Sequence, residues 1–557
     1  MSMKKGTGGL FNLIVRLLIT AVLGGIYFYV MLPPINLKSM EFWLFLFVLL
    51  VIYIVVTVVS SGINVTRSGV TLPQGVLWAN CKIPLILAAL LFLGSIVGGI
   101  VSSEIFHATA YYNLLDVQTG DFTEEVAEIS YDKIPMLDKD SSVQLGCRAL
   151  GNLSSNSNLV SQFEVSDEEY SQINYQNEPV RVAPLLYGNI IKWFNNRADG
   201  LPGYIIVNMV TQEADLVQLD EGMKYSTGEH FGRNIYRLLR FRYPTMMFGD
   251  VNFEIDEDGT PWWVCSRTVH RIGLFGGEDT EGAVLVNAIT GESTYYTEVP
   301  TWVDRVYSAD QLVAQYNYHG TLVNGWINSW LGQKGITTTS DGYNYIAMND
   351  DVYLYTGVTS AGNDESNVGF ILVNQRTKEA RYYNITGATE YSAMSSAEGA
   401  VQHLGYASTF PILLNISDEP TYFMSLKDSA DLVKMYAMVN VSDYQITATG
   451  SSVAECQSNY EELLVENGIK VTDPVEIIDA ETDTVTGTIT DIRSAVVDGN
   501  TMFYFSLGTE YYYVISAADD SDAVTYDVGD EVAITYYVDE ESTILTGISI
   551  EGTAGVI

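Results

Sequence analysis

A chain of 557 residues is longer than one ordinary domain, and its average composition joins two unlike parts. Residues 1–103 hold six basic side chains (Lys4, Lys5, Arg16, Lys38, Arg67, Lys82) against one acid, Glu41, while the remainder carries 22 basic and 67 acidic side chains, a net charge of −45. Such an excess repels phosphate backbones and anionic lipid surfaces, which argues against nucleic acid as a partner; the Tyr, Val, Ile and Trp content of the acidic region argues equally against disorder.

The first elements in chain order are three apolar runs, at about residues 10–32, 42–59 and 83–101. Each approaches or reaches the ~20 residues that a helix needs to cross a hydrocarbon core. Residues 1–110 are therefore expected to form a membrane anchor with three transmembrane helices. A cleaved signal peptide fits poorly, because the first run is long and two more follow it. Lys4 and Lys5 precede the first span, and Arg67 and Lys82 lie between the second and third, so the amino terminus is expected in the cytoplasm and everything after Ser103 outside. Arg16 is the ionisable residue within a span; near the cytoplasmic end its side chain can snorkel, which favours an anchor over a pore.

Residues 111–470 are self-similar. The run Val286-Asn287-Ala288-Ile289-Thr290-Gly291-Glu292 recurs at Val373 to Glu379, at Val207 to Glu213 and, more loosely, at Val439 to Gln445, each time after an apolar stretch. An apolar run, an Asn, two variable residues and then Thr-Gly-Glu describe a strand, a tight turn and a returning strand. Hairpins are expected around 203–220, 282–297, 369–384 and 435–448. A second hairpin precedes the copies at Phe253 to Val264, Tyr345 to Tyr353 and Leu414 to Met424, and helix starts are expected at Thr227, Ser308, Ser396 and Val453. One unit then reads helix, hairpin, loop, hairpin, and the uneven spacing of Asn208, Asn287, Asn374 and Asn440 implies loop insertions. A helix and an antiparallel sheet that closes on such a turn resemble the PepSY family of extracytoplasmic modules, with Asn standing where that family has Asp and the four copies spanning residues 131–464. The resemblance implies a role in controlling cell-wall hydrolases or peptidases in bacteria.

Residues 480–552 change pattern, to short alternating strands at 485–492, 501–507, 511–515, 531–537 and 544–550. A five-stranded barrel similar to an OB-fold is expected. With Arg493 as the base in this segment, a structural or protein-binding barrel is favoured over a nucleic-acid binder. The whole is an α+β chain: three N-terminal transmembrane helices, tandem helix-plus-sheet modules and a C-terminal small barrel.

Chemical motifs are sparse. No nucleophile elbow, zinc-binding His pair, Cys-x-x-Cys or phosphate-cradling Gly loop occurs in the sequence. The histidines (His107, His230, His270, His319, His403) stand without a positioned nucleophile. Asp256-Glu257-Asp258-Gly259 lacks the later ligands of a calcium loop and reads as a hairpin tip. Cys81, Cys147, Cys265 and Cys456 lack metal spacing and read as buried thiols. No catalytic, cofactor or metal residue is assigned, and no cofactor is expected. Two candidate binding surfaces remain. Arg233, Arg237 and Arg240 share one face of a helix, to pair with acids of a neighbouring repeat or to grip an anionic wall polymer. Trp326 and Trp330, four apart, would form a carbohydrate or protein platform if exposed. The expected function is that of a non-enzymatic, membrane-anchored binding or regulatory protein of the bacterial envelope, with an envelope protein or a cell-wall component as partner. The alternatives are an envelope hydrolase using paired carboxylates and a structural subunit of a larger membrane assembly.

Overall fold

The computed structural model describes residues 6–60, 64–66, 69–71, 74–127, 134–152, 157–348, 350–360, 363–471, 482–497, 500–509, 511–516, 521–537 and 544–552. It divides into two units, residues 1–471 and 472–557.

The chain begins with helices α1 (Gly6–Met31), α2 (Met40–Ser60) and α3 (Gln74–Val101). Their apolar stretches, Phe11–Met31, Met40–Ser60 and Asn80–Val101, have mean hydropathies of 2.1, 3.0 and 2.4 and are long enough to cross a membrane. Close packing depends on small residues: a Cβ at Gly24 would fall 2.3 Å from Leu49, and one at Gly94 would fall 2.8 Å from the Trp43 ring. Arg16 turns back into the bundle, its Nε donating to Ser60 Oγ at 2.7 Å. After a break at Ser102 and Ser103, helix α4 (Glu104–Tyr112) runs to the body and packs beside the helix Ala309–Thr321.

The body consists of four antiparallel meanders, each with its strands in sequence order. The first comprises Ser171–Tyr175, Glu178–Tyr187, Leu201–Asn208 and Ala214–Met223; the second Met247–Ile255, Pro261–Ile272, Gly276–Asn287 and Ser293–Tyr296. The third comprises Asn344–Met348, Asp351–Ser360, Asn363–Asn374 and Ala380–Tyr383; the fourth Ile412–Ile416, Glu419–Lys427, Val433–Asn440 and Thr447–Gly450. Their central strands are buried on both faces, as in the run from Ala283 to Val286, so they read as continuous apolar sequence rather than as alternation. The first strands of the four meanders pack against one another, and contacts between modules close a cycle: Gln212 of the first donates to Tyr436 OH of the fourth at 2.8 Å. The layout is that of blades set around an axis, with a helix in each passage from blade to blade.

Each Asn turn is built by local chemistry. The Oδ1 atoms of Asn208, Asn287, Asn374 and Asn440 each accept two backbone N–H bonds, from the residues two and three positions on, at 2.8–3.0 Å. The amide nitrogen supplies the reason for Asn over Asp. Asn374 donates to Asp351 at 2.8 Å and Asn440 to Glu419 at 3.1 Å, and Asn208 likewise reaches Glu178, each acid opening the second strand of its meander. A carboxylate at the turn would face another carboxylate. The fourth residue after the Asn takes positive φ in three copies, as Gln212, Gly291 and Lys378; the fourth copy has one residue more before its strand returns.

Helix starts differ from expectation at two sites. Asn234, not Thr227, caps the helix Ile235–Arg242, and Thr389, not Ser396, caps the helix Glu390–Ala400. In both cases the expected cap lies among other polar residues, and tertiary packing selects the start. Ser308 does cap its helix, and Ser452 caps Val453–Glu466. Before the first blade the chain staples later ones: Val117–Gly120 pairs in parallel with Ala380–Tyr383, and Lys427 forms an ion pair with Asp138 at 2.6 Å. Cys81, Cys265 and Cys456 are buried thiols, whereas Cys147, on the outer side of its helix, is exposed.

The second unit is a sheet of six strands rather than five. The stretch 485–492 turns at Ile489 and Thr490, dividing between Thr482–Thr488 and Asp491–Val497. No glycine or proline marks that turn in the sequence; the backbone bond from Thr490 N to Ser506 O makes it. Pairing runs in a single path from Thr482–Thr488 through Glu531–Tyr537, Ile544–Gly552, Tyr512–Ser516 and Asn500–Ser506 to Asp491–Val497, and among the described residues no pairing joins the two ends.

Candidate functional site

An antiparallel meander leaves alternate connections at opposite ends, so the turn between second and third strands emerges with the passage to the next blade. In the second blade that end meets the spans. Its tip, Gly273 to Gly277, presents Leu274 and Phe275 to α3, where a Cβ at Gly98 would lie 2.8 Å from the Phe275 ring. Ser102 Oγ accepts from the backbone N–H of Leu274 (2.8 Å) and Phe275 (3.2 Å), and Trp43 meets Phe275 edge-on at 5.6 Å. The α1–α2 loop is held in the same way: Ile35 N donates to Pro244 O at 2.7 Å and Lys38 Nζ to His270 O at 2.6 Å.

Two of the three candidate arginines, Arg237 and Arg240, belong to this joint, and the three do not form one helix face. Arg233 lies in the short turn Phe231–Arg233 ahead of the helix and donates to the carbonyl of Arg197. Arg237 stacks over the Tyr29 ring at 4.8 Å. Arg240 is buried, with Nε 2.7 Å from Leu32 O and Nη1 2.7 Å from Met246 O. None of the three forms an ion pair among the described residues. Arg237 and Arg240 instead meet the carbonyls of Tyr29 and Leu32 at the end of α1, because helix ends leave carbonyls unpaired and a guanidinium offers five donors. Burial lowers the Arg240 pKa to about 10, so the charge is kept at neutral pH.

Trp326 and Trp330 do come together, in a helical turn where their rings stack 6.2 Å apart at 19°. Trp326 is half-buried against Tyr111 and Leu322, whereas Trp330, Ile327 and Leu331 are exposed. Asp256 is a hairpin tip: its Oδ1 accepts from Asp258 N and Thr260 N, and its Oδ2 from Trp262 Nε1.

A second polar site lies where the first three blades meet. Glu254, in the strand Met247–Ile255, is fully buried and accepts from Asp304 N at 2.9 Å and Arg305 N at 3.0 Å. Asp304 in turn accepts from Asn174 N at 2.6 Å, and Arg305 donates to Tyr345 OH at 2.8 Å. Burial pushes Glu254 up to about 7 against the pull of two amides and the Arg305 guanidinium, and burial together with the Glu254 charge pushes Asp304 well above the ordinary carboxylate range. Raised, coupled carboxylates are the equipment of acid–base catalysis. Here both are closed to solvent, at 0% and 1% exposure, so what they can do is hold three blades together. An acid placed inside the apolar run Phe253-Glu254-Ile255 was the signal available in the sequence.

No protein-family model and no curated protein matches the chain. Among solved structures it is similar to a levansucrase mutant of B. megaterium at 8% identity and a TM-score of 0.16, over 78% of this chain and 95% of that one. At that TM-score the likeness carries no argument about fold or reaction.

Proposed function

We propose that the chain is a membrane-anchored binding or regulatory protein of the bacterial cell envelope, whose bladed body stands outside the membrane and engages an envelope protein or a wall component. The observation that carries this reading is the polarity of the head. The α1–α2 loop and the end of α3 hold the body, while in the sequence Lys4 and Lys5 precede the first apolar run and Arg67 and Lys82 stand between the second and third. Basic residues resist translocation, so the body goes to the far side. The resemblance to PepSY modules gives the same direction, towards control of wall-degrading enzymes. Four blades of one plan, held to each other and to the spans, give a fixed surface on which a partner can dock without ordering the protein first.

A reporter active only outside the cytoplasm, fused after Ile557, is expected to be active, and in-cell crosslinking of the body is expected to trap a recurrent envelope partner. An inactive reporter paired with a fluorescent cytoplasmic fusion would overturn the orientation and with it the partner class.

A further inference from the structure

The acidic average of the body conceals one basic and apolar surface. Among the described body residues after Tyr112, the large apolar side chains with more than half exposure, Val465 apart, cluster on a few connections: Ile191 (70%) and Phe194 (60%) between the second and third strands of the first blade, Phe231 (65%) and Phe241 (58%) in the passage to the second, and Trp330 (68%) in the passage to the third, with Tyr391 of the passage to the fourth at 52%. By the alternation of meander ends, these connections emerge at the end where Phe275 meets α3. Phe241 touches Phe28 at 6.1 Å, three residues before α1 ends, and Gly98 likewise stands three residues before α3 ends. At ~1.5 Å per residue both contacts lie about 4.5 Å below the helix ends. That depth is close to the roughly 5–10 Å at which interfacial helices bury their apolar faces.

Two arginines stand on this surface. Arg197 stacks over the Phe194 ring at 4.3 Å and over Trp193 at 5.4 Å, and Arg233 binds the Arg197 carbonyl. With Trp193, His230 and Phe231 they line a groove of about 420 Å³. Among the described residues neither guanidinium forms an ion pair. Arginine above an apolar rim, continuous with helices that cross the bilayer, is the arrangement that binds anionic headgroups.

We propose that this end of the body lies on the bilayer and binds anionic phospholipid, with Arg197 and Arg233 on the headgroup phosphate and Ile191, Phe194 and Phe231 in the acyl boundary. The spans then do not merely tether the body; they seat it on a leaflet whose headgroups complete the groove. The repulsion expected from overall charge is overcome locally, because the leaflet meets this face and not the average.

The test uses the full chain in phosphatidylcholine nanodiscs with and without phosphatidylglycerol. Nitroxide labels go on F194C and W330C, with V465C as control and exposed Cys147 replaced by Ser. Labels at 194 and 330 are expected to be several-fold more accessible to oxygen than to a water-soluble nickel chelate, and the label at 465 the reverse. Phosphatidylglycerol retained after purification from mixed micelles is expected to fall in R197Q/R233Q while phosphatidylcholine is unchanged. If the label at 194 matches the one at 465, the seating is wrong; if both lipids fall together or neither falls, the headgroup contact is wrong.

Discussion

Two buried polar joints hold this molecule together, and they handle charge in opposite ways. At the membrane joint a cation, Arg240, is surrounded by carbonyls of Leu32, Pro244 and Met246; at the axis of the body an acid pair, Glu254 and Asp304, is surrounded by amides of Asn174, Asp304 and Arg305. Both lean on backbone groups, and at the acid pair the Arg305 guanidinium adds a cation that holds Glu254 down. The difference lies in titration. Arg240, at about 10, stays charged throughout the physiological range, while Glu254, at about 7, changes charge within it. The membrane joint is therefore insensitive to pH and the central one is sensitive to it.

The largest expected effect comes from breaking the first joint. Arg240→Ala takes the guanidinium from the carbonyls of Leu32 and Met246 in a closed site, while Pro244 O keeps Ile35 N, and is expected to cost about 3 kcal/mol, read as a lower unfolding midpoint of the detergent-solubilised chain. An unchanged midpoint would mean that the other contacts between spans and body, those of Ile35, Lys38, Ser102 and Phe275, suffice without Arg240. Next is the pH test of the second joint. A carboxyl whose folded pKa is raised contributes stability in full below the ordinary carboxylate range and loses it as pH climbs through the folded value. Between pH 5 and pH 8 the body is expected to lose up to about 3 kcal/mol from Glu254, measured by denaturant titration, and Glu254→Gln is expected to flatten that slope. Equal slopes in the two proteins would remove the acid pair from the account.

The Asn turns sharpen the comparison, since they also place a neutral donor beside an acid. Asn440→Asp sets a second carboxylate against Glu419 in a buried site and is expected to cost about 2 kcal/mol. At Asn287 the facing strand opens with Pro261 instead of an acid, so Asn287→Asp is expected to stay within about 0.5 kcal/mol. Comparable losses in thermal unfolding would show that the amide nitrogen is not what selects Asn. The smallest effect belongs to the exposed end of the scale: Trp330→Ala is expected to leave stability within about 0.5 kcal/mol, because its ring is largely exposed and Trp326 alone packs inward. A larger loss in the same assay would make the stacked pair part of the fold.

Legibility in the sequence followed the range of the interaction. The apolar runs mark the three spans because length and hydropathy suffice for crossing. The Asn turns are visible because each Asn bonds residues two and three positions away. The helix starts at Asn234 and Thr389 were less legible, since several Ser, Thr and Asn residues stand near each and packing chooses among them. The extra strand of the last unit was hidden for the same reason: Thr490 turns on a bond to Ser506, not on a turn residue.

The candidate arginines show where this range ends. Their positions and charge are plain in the chain, and so is the contrast between a basic head and an acidic body. Their partners are not, because Arg240 reaches a carbonyl 208 residues away and Asp304 an amide 130 residues away. Every residue carries the same carbonyl, and nearly every one the same amide, so composition leaves no mark of which backbone group a buried charge will meet. What the chain alone determines is which segments can enter lipid and where it turns; which charges are buried, and whether they can titrate, is decided only when the blades close on one another and on the spans.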